Sequence, residues 1–68
     1  MKYAVVVERS PTGFAAYLPD LPGCVAAGGT RAEVERLIRE AIQLHLQGMR
    51  EDGEPIPDPT TGVDLVEV

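Results

Sequence analysis

The chain has 68 residues, a formal net charge of −5 and 44% hydrophobic residues. It is expected to form a single small domain, residues 1–68, with a marginal core, because a chain this short buries only about 60% of the surface its unfolded form exposes. Its single Cys and single His exclude an internal disulfide and a zinc site of three or four such ligands. Self-association is the remaining way to supplement the core. The acidity argues against direct nucleic-acid binding, which relies on Lys and Arg neutralising phosphates, and suits a basic protein partner.

Met1 leads straight into a strand-like pattern, without the charged and apolar regions of a signal peptide. No apolar run approaches the roughly 18 residues of a membrane span. The expectation is a soluble, cytoplasmic protein that does not engage membranes. Asn is absent and five of the six basic residues are Arg, a composition that fits a thermophile or a GC-rich genome.

Taken in order, Lys2 to Glu8 is rich in β-branched and aromatic residues, "ERSPTG" carries turn chemistry, and Phe14 to Leu18 resumes the strand pattern. This is a β-hairpin signature. The stretch "AYLPDLPGCVAAGGT" follows, with Pro19, Asp20 and Pro22 crowded ahead of Gly23. Within it "GCVAAGG" predicts a third strand, whose small residues allow a helix or another backbone to approach closely.

"TRAEVERLIREAIQLHLQGMRED" opens with Thr30 followed by Glu33, the spacing of a capping box. Apolar residues then recur at helical spacing to Met49. Gly53 suits the position after the C-cap, and Pro55 forbids continuation. "GEPIPDPTTG" predicts an extended linker and "VDLVEV" a short edge strand. The order β-β-β-α-β makes an α+β domain with a small antiparallel sheet and one helix on one of its faces.

At about 100° per residue, Val34, Ile38, Ala41, His45 and Met49 share a central helical stripe. Leu37 and Leu44 widen it on one side, Ile42 and Leu46 on the other, to an arc of roughly 200°. That exceeds what one sheet covers, so Leu37, Ile42, Leu44 and Leu46 are candidates for a homo-oligomer interface. Gly48 costs roughly 1 kcal/mol in a helix relative to Ala, which suggests close approach of another backbone there.

The catalytic inventory is thin. There is no G-x-S-x-G, P-loop or G-x-G-x-x-G pattern. A Cys24, His45 and Asp20 set is conceivable, but Cys24 sits among small apolar residues and His45 lies on the apolar helix face, where packing is the simpler role. Glu35 with Arg39 and Arg36 with Glu40 are i,i+4 pairs of a solvated helix face. No metal-binding or cofactor-binding group is indicated, and the chain is expected not to be an enzyme.

Two motifs carry a family resemblance. "LPDLPGC" (residues 18–24) and "EDGEPIP" (residues 51–57) flank a capped helix of this length. Together they resemble the HicB-type antitoxin family in its short form, over roughly residues 2 to 58. The resemblance implies a partial RNase H-like β-β-β-α-β fold without nuclease activity. It further implies a homo-oligomer, dimer or tetramer, that neutralises a HicA-type toxin, a small basic ribonuclease that cleaves mRNA. Many family members add a C-terminal DNA-binding segment. No basic recognition helix occurs here, which implies no direct operator binding. Asp20, Leu21, Pro22, Glu51, Asp52 and Glu54 are the expected partner contacts. The alternative is an orphan homo-oligomeric structural or regulatory module with no toxin partner.

Overall fold

A computed structural model describes all residues, 1–68. Three strands, β1 (Val6–Ser10), β2 (Gly13–Tyr17) and β3 (Val25–Gly28), precede one helix, α1 (Arg31–Glu51). The sheet is antiparallel throughout, in the order β1-β2-β3. The α+β class and the single covering helix are as expected.

The hairpin is tighter than the sequence indicated. Ser10 pairs with Gly13, so only Pro11 and Thr12 form the turn. Gly13 has φ +153, and a Cβ there would overlap the Gly28 carbonyl oxygen, so the hairpin turn closes directly onto the end of β3. At the other end, β1 begins at Val6 rather than Lys2. Its neighbour β2 stops at Tyr17, the partner of Val6, and the chain then turns off into Leu18 and Pro19. Tyr3 to Val5 therefore has no strand on that side, although Tyr3, Val5 and Val7 still pack against the core.

Thr30 caps α1 by accepting a hydrogen bond at Oγ1 from the Glu33 amide, 3.1 Å. Glu33 makes no return bond to the Thr30 amide. Its side chain lies over Gly28, where an added Cβ would sit 3.2 Å from Glu33 Cγ and 3.1 Å from the Val34 amide. The small residues of β3 thus admit the helix start, as the sequence suggested. The C-terminus is a Schellman motif: the Glu54 amide donates to Met49 O (2.8 Å) and the Gly53 amide to Arg50 O (3.2 Å), with Gly53 at φ +69. At Gly48 no backbone of the chain itself approaches, since a Cβ there would meet nothing within 4 Å.

Six residues are fully buried: Ala16, Leu18, Leu21, Cys24, Val34 and Ile38. Three of the six come from the loop between β2 and β3. Ala41, Ile42, Leu46 and Met49 pack around them, and His45 is half-buried. Ile42 and Leu46, two of the four residues assigned to an interface, are thus half-buried against the chain's own core. Leu44 is left 70% exposed and Leu37 half-buried. Leu37 and Leu44, seven positions apart, share the one side of the helix that the core cluster does not include; the helix is also long, since 21 helical residues span about 31 Å, whereas four residues of β3 span about 13 Å. The last turns of α1 overhang the sheet.

The expected fourth strand is not present. Residues 63–68 join no sheet and are exposed, Leu65 at 97%. A strand needs a partner edge, and the linker delivers this segment to none within the chain.

Candidate functional site

The stretch Leu18–Cys24 is two turns in tandem. The Leu21 amide donates to Leu18 O (3.3 Å) and the Cys24 amide to Leu21 O (3.1 Å). Pro19 and Pro22 each occupy the second position of their turn, where the fixed φ of proline is favoured. Gly23 at φ +86 supplies the positive φ that a type II turn needs at its third position. A bond from the Leu18 amide to Cys24 O, 3.4 Å, closes the loop. Leu18, Leu21 and Cys24 stand three apart at the turn corners, and all three are buried. Leu21 is 1% exposed, which removes it from the expected partner contacts: it has no surface to offer.

Asp20 sits at the apex with a task the sequence did not disclose. Its Oδ2 accepts from the amides of Thr60 and Thr61, each at 3.1 Å, and its Oδ1 from their hydroxyls at 3.0 and 2.9 Å. Upstream, the Tyr3 hydroxyl donates to Pro57 O. The linker is therefore strapped across the end of the sheet, first beside the N-terminal segment and then at the β2–β3 loop. The only advance signal was a Thr-Thr pair after a proline run, and no local rule pairs it with a carboxylate forty positions away.

The bond from the Thr61 amide is the main influence holding the Asp20 carboxyl below its ordinary range; partial desolvation opposes it, and the Thr hydroxyls and the Thr60 amide assist. A depressed folded-state pKa means the clamp is intact above the ordinary carboxylate range and is lost as pH falls through the lowered value. Amide exchange at Thr60 and Thr61 is therefore expected to be slowed at neutral pH and to lose that protection well below about pH 4. Asp20→Ala is expected to abolish the protection at every pH. Equal exchange in the variant and the wild type at pH 7 would show that the clamp does not hold in solution.

Cys24 is buried, and burial pushes its thiol up, opposite to what a nucleophilic cysteine needs. With Asp20 occupied by Thr60 and Thr61, the Cys24, His45 and Asp20 set is not assembled. On the helix, Arg36 pairs with Glu40 at 3.2 Å, but Glu35 pairs with Arg31 at 3.0 Å and not with Arg39. Arg39 is left without an ion pair, beside a cavity of about 200 Å³ lined by Val5, Glu35, Ile38 and Arg39. Glu51, Asp52, Glu54 and Pro22 are exposed, with Glu51 accepting from Gln47 Nε2 at 3.2 Å. No helix is long and apolar enough to cross a membrane.

Residues 3–67 match the family model described as a HicB_like antitoxin of bacterial toxin-antitoxin system. The chain belongs to the HicB-like antitoxin family. Among the relatives of this HicB-like chain is Antitoxin HicB 2 of Photorhabdus laumondii, 36% identical over 69 residues, covering 100% of this chain and 50% of that protein. An uncharacterised 14.9 kDa protein of Haemophilus phage HP1 is 40% identical over 57 residues, covering 84% of this chain and 43% of the phage protein. The HicB-like chain thus spans half or less of the length of these two relatives. Among solved structures, it superposes on a chain of a HicA3 and HicB3 toxin-antitoxin complex with TM-score 0.75 and 32% identity, covering 88% of this chain and 70% of that one. The two motifs that carried the resemblance are thereby accounted for: one is the double turn that fills the core, the other the capped helix end that starts the strap.

Proposed function

We propose that this HicB-like domain masks a HicA-type, mRNA-cleaving toxin by direct protein contact, acting by occlusion without catalysing a reaction. The observation that carries the reading is the superposition on a chain of a HicA3–HicB3 complex over 88% of the domain. The net charge of −5 favours encounter with a basic toxin through long-range attraction. The surface proposed to meet it combines exposed Pro22 with Glu51, Asp52 and Glu54 at the overhanging helix end. These carboxylates are in solvent and contribute chiefly to association rate.

Co-expression with a HicA-type toxin encoded beside this chain is expected to relieve growth arrest, and the two proteins are expected to co-purify. Replacing Glu51, Asp52 and Glu54 by Lys together is expected to slow association and to flatten its salt dependence, with a smaller effect on dissociation. Persistent arrest with no recoverable complex would overturn the proposal and favour a self-assembling module without a toxin.

A further inference from the structure

An antiparallel sheet carrying one helix leaves its other face to solvent, and such a face is ordinarily polar. Here it is mostly apolar. Ala16 is buried on the helix side, and its strand partners Val7 and Ala26 pack on that side with it. The residues between them alternate onto the outer face. These include Val6 and Glu8 of β1, Ala15 and Tyr17 of β2, and Val25 and Ala27 of β3. Glu8 is the only charged residue that the three strands turn outward.

The register sorts this face into two rows of unequal height. Val6 pairs with Tyr17 and Tyr17 with Val25, a bulky row in which Tyr17 is 41% and Val25 65% exposed. One step toward the hairpin, Glu8 pairs with Ala15 and Ala15 with Ala27. Successive rows on one face lie about 7 Å apart. The two alanines therefore floor a shallow trough, walled on one side by Tyr17 and Val25 and ended by the Glu8 carboxylate. Both ion pairs of the chain lie on α1, so Glu8 has no cation of its own.

A trough of this shape suits a long side chain with an apolar stem and a cationic head. Arginine meets each demand: its stem covers the alanines, its guanidinium stacks on a tyrosine ring, and its donors match a carboxylate. The same carboxylate repels phosphate backbones, which makes the occupant a protein.

We propose that the outer sheet face is where the basic toxin docks, with one of its arginines lying over Ala15 and Ala27, stacked on Tyr17 and paired with Glu8. The inference rests on the toxin-masking reading above and adds to it the surface that holds the complex. Tyr17 and Val25 lead directly into the two ends of the Leu18–Cys24 loop, so exposed Pro22 continues this face at its rim. Glu51, Asp52 and Glu54 then steer the encounter, and the sheet face slows dissociation.

The test is the affinity of the full chain for the HicA-type toxin encoded beside it, measured by surface plasmon resonance. Tyr17→Ala removes the stack, Ala27→Leu fills the trough and Glu8→Lys opposes like charges. Each is expected to weaken binding about tenfold or more, Tyr17→Ala and Ala27→Leu through faster dissociation. Glu8 and Ala27 are exposed, so those two variants are expected to keep the circular dichroism and urea midpoint of the wild type, whatever Tyr17→Ala does to the fold. Leu44→Asp, on the helix, is expected to leave affinity unchanged. Wild-type affinity in all three sheet variants overturns the docking face and leaves the toxin-masking reading standing. A wild type that does not bind the toxin overturns both. Binding lost with Leu44→Asp and kept with Ala27→Leu moves the toxin to α1 and overturns the proposal. Light scattering on the chain alone completes the test: a mass that falls with Ala27→Leu would make a second copy the occupant of this face, and would overturn the proposal as well.

Discussion

Gly13→Ala is expected to be among the most destabilising single substitutions in this domain, lowering stability by about 2–5 kcal/mol. Two independent costs meet at that position. The backbone sits at φ +153, in a region almost reserved for glycine, where another residue costs of order 1–3 kcal/mol. A Cβ would also overlap the Gly28 carbonyl oxygen and crowd the Gly29 Cα; overpacking against backbone costs about 1–3 kcal/mol. Relief would require β3 to move away from the hairpin, and Gly28 is itself held by the first turn of α1. Gly53→Ala is the control: φ is again positive at +69, but the space around it is open, and the expected cost is about 1–2 kcal/mol. Urea unfolding of the two variants separates steric overlap from backbone preference. Equal midpoints would refute the close approach of the hairpin to β3.

Leu21→Ala is expected to cost about 2–5 kcal/mol, the range for removing a fully buried leucine and leaving a cavity. For a chain of 68 residues the total stability is about 3–10 kcal/mol, so the substitution consumes much of it. With a urea slope of about 1 kcal/mol/M the midpoint is expected to fall by 2 M or more. The comparison that matters is Pro22→Ala, beside it and exposed, where the loss is expected to be under about 1 kcal/mol, chiefly through a freer unfolded chain. If Leu21 were a toxin contact instead of core, the pattern would invert: stability would survive and the complex would weaken.

Leu21 also shows where sequence reading succeeds and where it stops. The Pro-led turns, the glycine with positive φ and the link from sheet to helix were all legible, because each depends on local backbone preferences. That Leu18, Leu21 and Cys24 form half of the buried core was not, because a three-residue spacing inside a loop belongs to neither helical nor strand periodicity. The helix was the most legible element, since its Thr30 cap and Gly53 stop are local chemistry. Its charge pairs were less so: Glu35 had Arg31 and Arg39 as equivalent i,i±4 neighbours, and only side-chain placement chose Arg31. The candidate partner surface was half legible. Exposed acids at the helix end follow from composition and capping, whereas Asp20 was read as an open contact and is in fact the anchor of the linker.

Local rules in the sequence thus sufficed for a three-stranded hairpin-and-strand unit, one capped helix, an α+β class and the motifs of the HicB-like family. These outcomes depend on interactions between residues a few positions apart. The tertiary structure alone decided the Asp20 clamp, the overlap between Gly13 and β3, and the fate of "VDLVEV". A strand pattern expresses only a capacity to pair; whether pairing occurs depends on an edge being within reach. Here residues 63–68 follow the strap from Tyr3 to Asp20, stay exposed and join no sheet, which leaves that capacity unspent in the single chain.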